Sequence, residues 1–330
     1  MPQKKLHWAI LSTARINRAI IPPLRSSKRN ELVGVSSRSQ ERAQTYAQAM
    51  GIPRAYGSYE AMLADAEIDV IYIPLPNSLH AKWTIAAAKA GKHVLCEKPL
   101  AMTEDEVADI AAAARHYGVV VAEAFMYRHH PQTLRVKELV DNGSIGKLRF
   151  VRGSFSFNLT RAGDIRLNPA LGGGSIWDIG CYLINYTRYL IGSEPEEVFG
   201  WQIPGPGGVD MTFVGQMRFA GDIYAQIDCS FQASYRSQVE IVGDAGMISI
   251  PHPYKPGRYA KIFLTSGDEI QSIPIRGRDL YAGEVEDMAD AILLGKEPRL
   301  SLEDSRGNVS TIVSLLRSAR EKQPVYLNKP

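Results

Sequence analysis

Hydrophobic and polar positions recur in two different rhythms along this chain. Up to about residue 125, short apolar runs alternate with stretches of helical period. That is the pattern of a parallel sheet covered on both faces. Leu6 to Leu11, Glu31 to Val35, Asp69 to Ile73, His93 to Cys96 and Val119 to Val121 read as strands. Ser39 to Met50, Ser78 to Ala90 and Thr103 to His116 read as helices. Ser39 and Thr103 are placed to cap theirs, Thr103 with Glu106 making a capping box, and Gly51, Gly91 and Gly118 end them.

Beyond residue 125 the period shortens to two. Lys147 to Asn158 alternates as one long strand. Met211 to Ala220 with Ile223 to Phe231, Gln238 to Val242 with Met247 to Ile250, and Tyr259 to Thr265 with Ile270 to Ile275 flank glycine turns. These hairpins predict an open, mostly antiparallel sheet. Helical patterns at 175–191, 282–294 and 302–321 are expected to cover one face of it. The other face is a candidate subunit interface, giving a homodimer or homotetramer, because a large open sheet rarely stays exposed. The expected fold is α/β. Residues 1–125 form a doubly wound dinucleotide-binding domain, and 126–330 an α+β domain for substrate binding and oligomerisation.

Composition narrows the function. With 38 basic and 35 acidic residues the net charge is only +3, too small to imply a nucleic-acid or membrane partner. Cys96, Cys181 and Cys229 are far apart, odd in number and form no C-x-x-C, so neither a disulfide framework nor a zinc site is expected. No apolar run approaches the ~18 residues of a membrane helix. Met1 to Lys5 leads straight into a strand without the apolar core of a secretory leader. A cytoplasmic location follows as the expectation.

The candidate chemistry lies at strand ends. The turn Ser12-Thr13-Ala14-Arg15-Ile16-Asn17 stands where a dinucleotide fold keeps G-x-G-x-x-G, with Ser12, Ala14 and Asn17 at the glycine positions. Alone it also fits an ordinary strand-to-helix turn. What it retains is a helix N-terminus, which attracts pyrophosphate through its free N–H groups and dipole. Ser36-Ser37-Arg38 ends the second strand, where an NAD enzyme places an acid to hold the ribose. Ser37 and Arg38 suit a 2′-phosphate instead, favouring NADP while leaving NAD possible. The alternative is that Arg38 is a solvated charge opening a helix. Leu75, Pro76, Asn77 and His80 follow the third strand, and Glu97-Lys98-Pro99 the fourth, at the edge where such sheets bind ligands. Further on, Gly172-Gly173-Gly174 lets backbone approach a ligand closely. Asp178 and Tyr182 follow, four residues apart, on one face of a helix. Carboxylate, phenol and lysine together can relay a proton. Each piece alone also reads as a cap, a core tyrosine or a surface lysine.

Together these blocks resemble the glucose–fructose oxidoreductase, inositol dehydrogenase and MocA (Gfo/Idh/MocA) family. The resemblance rests on Ser12 to Asn17, Pro76 to His80, Glu97-Lys98-Pro99-Leu100 and Gly172 to Tyr182, and covers essentially the whole chain. It implies a Rossmann domain, an open-sheet substrate domain, and a nicotinamide at their junction. It implies that Lys98 polarises the substrate oxygen and that Asp178 with Tyr182 completes the acid/base group. The implied reaction moves a hydride between nicotinamide and a carbon of a sugar or polyol, with no metal. Arg128, His129 and Arg166 are further substrate-contact candidates by position, with a structural turn as the alternative for the first two. A trans-dihydrodiol substrate, a sugar–sugar oxidoreductase holding NADP tightly, and a non-catalytic NAD(P) sensor are the rival readings. Retention of Lys98, Asp178 and Tyr182 argues against the sensor.

Overall fold

The structure, a computed structural model, describes residues 5–161, 163–205 and 207–327; Met1 to Lys4, read above for a leader, and Ala162 of the loop before the glycine run lie outside them. The chain forms two compact units, Met1–Met126 with Tyr281–Arg306, and Tyr127–Leu280 with Gly307–Pro330.

In the first unit the strands are β1 (Leu6–Leu11), β2 (Asn30–Ser36), β3 (Arg54–Tyr56), β4 (Val70–Ile73), β5 (His93–Glu97) and β6 (Val121–Ala124). They pair in parallel in the order β3-β2-β1-β4-β5-β6, the doubly wound arrangement expected. The crossovers are α1 (Asn17–Ser26), α2 (Gln40–Met50), α3 (Tyr59–Leu63), α4 (His80–Lys89) and α5 (Glu104–Tyr117). Ser39 and Thr103 cap α2 and α5 as read. The last strand starts later than Val119. Gly118 leaves α5 at φ +63°, and the Val119 N–H bonds back to the Ala114 carbonyl, so these residues close the helix before a strand can begin. The short β3 and α3 carry too few residues to show a period.

The larger departure is the helix at 282–294, expected on the second sheet. It is α8 (Ala282–Leu294), and it belongs to the first unit. Val285, Met288 and Ala289 join Trp8, Ile20 and Leu24 in that unit's core. Arg29 holds it from outside, bonding Glu286 and Asp290 at 2.6 and 2.5 Å. Residues 281–306 therefore return to the nucleotide-type unit rather than completing a single C-terminal domain. An apolar stripe says that a helix must be covered, not by what.

The second unit contains α6 (Pro131–Asp141), β7 (Leu148–Ser156), α7 (Cys181–Ile191), β8 (Glu197–Pro204), β9 (Asp210–Phe219), β10 (Ile223–Ser230), β11 (Arg236–Gly243), β12 (Met247–Pro251), β13 (Tyr259–Ser266) and β14 (Glu269–Arg276). The C-terminal part of α9 (Leu302–Glu321) and β15 (Val325–Tyr326) complete it. The sheet order is β14-β13-β12-β11-β7-β10-β9-β8-β15, with the three predicted hairpins formed. All pairs are antiparallel except β10 with β7. α7 lies over β7 and β10, and Leu315 of α9 packs on Gly200 and Gly215.

Candidate active site

In the first unit the sequence-predicted positions gather at the carboxyl edge of the parallel sheet. Ser12 leaves β1 at φ +130°, a backbone that glycine adopts freely and serine rarely. The turn thus keeps the shape of the glycine fingerprint without its glycine. Ser12 Oγ donates to the Pro74 carbonyl at 3.3 Å, and Asn17 Nδ2 donates to the Ser12 carbonyl at 2.9 Å. The N–H groups of Thr13, Ala14, Arg15 and Ile16 take no partner among the described residues, so a row of unpaired donors precedes α1. These features fit a dinucleotide phosphate.

Ser37 is buried at the end of β2, its N–H bonded to the Tyr56 carbonyl, and Arg38 beside it is exposed, with no ion pair among the described residues. One turn further, Arg42 donates to Thr13 Oγ1 at 2.9 Å, which brings a second guanidinium to the phosphate turn. The sequence reading passed over Arg42, although its position four residues after Arg38 was a usable signal.

His80 is fully buried, with Nδ1 2.6 Å from the Pro99 carbonyl and Nε2 2.8 Å from that of Leu75. Burial lowers its pKa against the pull of the two carbonyls. Its ring acts on the chain itself, tying the loop after β4 to the cis Lys98–Pro99 peptide. Glu97 accepts a hydrogen bond from the buried Tyr72 hydroxyl, whose pKa is raised well above normal by burial and the nearby carboxylates of Glu97 and Glu284. Tyr72 is thus a support that the sequence did not reveal. Leu75, Pro76 and Asn77 are partly exposed beside it, as is Lys98.

In the second unit a π-helical turn, Ile176–Gly180, precedes α7 and carries Asp178. Such turns concentrate at functional sites. Arg166 Nε donates to Asp178 Oδ2 at 2.6 Å, and Arg166 Nη1 reaches Asp164 Oδ1 at 3.2 Å. Both carboxylates, Asp178 foremost, raise the Arg166 pKa. Tyr182 is 5% exposed and sits within an aromatic cluster of Tyr127, Phe155 and Tyr254, at ring separations of 5.9 to 6.0 Å. Two of the three glycines are explained by the chain's own packing: a Cβ on Gly173 would lie 2.5 Å from the Arg166 carbonyl oxygen, and one on Gly174 2.3 Å from Asp210 Oδ1.

Arg128 and His129 lie in a 3₁₀ turn before α6, the structural alternative weighed above. Arg128 is buried, donates to Asn185 Oδ1 at 3.0 Å and stacks 3.9 Å over the Tyr189 ring. The His129 carbonyl accepts from Arg278 at 3.3 Å. Among the described residues no group of three His, Cys, Asp or Glu is placed to hold a metal, and no helix is long and apolar enough to cross a membrane.

Known proteins are similar to this chain in sequence and fold. Residues 6–125 match the family model described as an oxidoreductase family with an NAD-binding Rossmann fold, and 133–249 match that of a GFO/IDH/MocA C-terminal domain. The D-xylose 1-dehydrogenase (NADP(+)) 2 of Haloferax volcanii is 36% identical over 97% of this chain and 99% of its own length. The trans-1,2-dihydrobenzene-1,2-diol dehydrogenase of Xenopus laevis is 35% identical over 74% of each chain. A 3-ketoreductase from Actinomadura kijaniata, solved with NADP and TDP-benzene, superposes with a TM-score of 0.90 at 28% identity, covering 96% of this chain and 98% of that one.

Proposed function

This chain belongs to the Gfo/Idh/MocA family of oxidoreductases, and from that we propose that it moves a hydride between NADP and a CH–OH carbon of a sugar or polyol. The observation that carries the reading is the phosphate turn. Ser12 holds a glycine-like backbone, four N–H groups have no partner among the described residues, and Arg38 stands exposed where a 2′-phosphate would be recognised. Thr13, Ala14, Arg15, Ile16, Ser37 and Arg42 complete the set that would hold the nucleotide. The bound cofactor supplies the hydride acceptor or donor.

The chain's own residues handle the proton and the orientation. Lys98 hydrogen-bonds the reacting oxygen and stabilises negative charge on it. Tyr182 Oη takes the hydroxyl proton in the oxidation direction and returns it in reduction. Asp178, held by the Arg166 cation, orients the substrate hydroxyls. The aromatic cluster around the Tyr182 ring excludes water from its flank. That cluster also favours a second substrate, a cyclic trans-dihydrodiol, as the name of the Xenopus laevis relative suggests. A cytoplasmic setting and self-association through the open face of the second sheet belong to the same reading.

The test is a titration of purified protein with NADPH and NADH, for wild type and Arg38→Ala, followed by turnover of D-xylose and a trans-dihydrodiol at 340 nm. NADPH is expected to bind at least ~10-fold more tightly than NADH, and Arg38→Ala to erase the difference. Lys98→Ala is expected to bind NADPH normally and to lose turnover of whichever substrate reacts. Equal affinity for both nucleotides in wild type would sink the Arg38 assignment.

A further inference from the structure

A buried carboxylate 35 positions from Ser175 sits against the start of the helix that carries Asp178 and Tyr182. Asp210, the first residue of β9, is 4% exposed. Its Oδ2 accepts from Ser175 Oγ at 2.5 Å and from the Ile176 N–H at 2.8 Å. Those groups open the segment formed by the π-turn Ile176–Gly180 and α7, where unpaired N–H groups and the helix dipole favour an anion. The contact continues toward Asp178. Gly174 faces Asp210 so closely that any Cβ there would meet its Oδ1, and the Gly174 carbonyl accepts the Asp178 N–H at 3.1 Å. The Gly174 N–H in turn donates to the carbonyl of Arg166, whose guanidinium holds the Asp178 carboxylate. Asp210, Gly174, Arg166 and Asp178 thus form one ring of contacts around the turn.

We propose that Asp210 is a positioning residue of the active site, a carboxylate that pins the π-turn and so sets where Asp178 and Tyr182 stand. This rests on the hydride-transfer reading for its effect on rate, but not for its effect on the turn.

Among the described residues no cation pairs with Asp210. The Cys229 thiol of β10 lies 3.4 Å from Ser175 Oγ and is itself pushed well above its usual pKa by burial, with Asp210 adding to the shift. Asp228 of β10 is paired with Arg236, and Arg218 of β9 with Glu196 and Glu197. Arg166 is engaged by Asp164 and Asp178. Burial pushes the Asp210 carboxyl up to about 6, against the downward pull of the Ser175 and Ile176 bonds. The turn is therefore held tightly above that pH and loosened below it.

The test uses full-length protein labelled with 5-fluorotryptophan. Trp177 lies within the turn, and its fluorine resonance is identified by Trp177→Phe. In wild type that resonance is expected to shift with a midpoint near pH 6, and in Asp210→Asn to lose the transition. With NADP⁺ and D-xylose, wild-type kcat should fall through the same pH. Asp210→Asn should lose about 10-fold or more at pH 8, show no acid limb, and keep its KM for NADP⁺. Its Tm at pH 8 should not fall, because a buried anion is removed; a cap of merely structural value would lower Tm. Ser175→Ala should give an intermediate loss of kcat. A Trp177 transition that persists in Asp210→Asn, or a variant with wild-type kcat and pH profile, overturns the proposal. If wild type turns over no D-xylose, the substrate reading fails while the fluorine titration still decides the role of Asp210.

Discussion

Arg166 shows how one side chain can hold another in place. Its Nε stands 2.6 Å from Asp178 Oδ2, a charge-assisted bond in a half-buried setting. In the proposed mechanism Asp178 orients the substrate and Tyr182 carries the proton. Arg166→Ala is expected to lower kcat on the order of 10- to 100-fold, because a hydroxyl-orienting group displaced by about 1 Å costs that much. Arg166→Lys should recover part of the loss; equal rates in all three proteins would show that the pair does not serve the reaction. Asp210 works the opposite way on stability. Its folded pKa of about 6 exceeds the ordinary 3.8, so the folded state binds this proton more tightly than the unfolded state does. Its contribution to stability is greatest below the unfolded value and is lost as pH rises through 6. A denaturant titration across that window should show a loss on the order of 1–3 kcal/mol in wild type that Asp210→Asn lacks. Lys98, Tyr182 and Arg38 stood out in the sequence because their motifs are local. Asp210 did not, because its partners Ser175 and Ile176 lie more than 30 positions away.

At the scale of elements, periodicity named most helices and strands, and where it erred the cause was local bonding or distant packing. The helix read at 175–191 opens with a π-helical turn, Ile176–Gly180, at whose start Asp210 holds Ser175 and Ile176. α8 was assigned to the wrong sheet. Its apolar stripe matches the core of the first unit, and its polar face meets Arg29, which lies between Glu286 and Asp290 with 21% side-chain exposure. Two acids on one guanidinium exceed an isolated surface pair, so Arg29→Ala is expected to cost about 1–2 kcal/mol and lower Tm by a few degrees. Unchanged Tm would mean that the apolar stripe alone docks the helix.

At the scale of the whole molecule, the outer face of the second sheet presents Phe199, Trp201, Ile203, Val214 and Tyr224 along β8, β9 and β10. Trp201 is 53% and Ile203 59% exposed, a dense apolar patch for a chain of ordinary composition. A second copy of this face is the expected cover. Trp201→Glu with Val214→Asp should shift light-scattering mass to the monomer, and wild type running as a monomer would refute the interface. The sequence by itself determined the alternation of the first unit and the hairpins of the second, and it singled out the turn at Ser12 to Asn17 and the Glu97-Lys98-Pro99 motif. Those features are written in residues within a turn or a strand of each other, where period and backbone sterics act. Only the tertiary structure decided that α8 returns to the first unit, that the His80 ring reaches the Pro99 and Leu75 carbonyls, and that Asp210 holds the turn beneath Asp178. Each depends on burial and on partners far apart in sequence, and a buried group's chemistry is set by what surrounds it rather than by what it is.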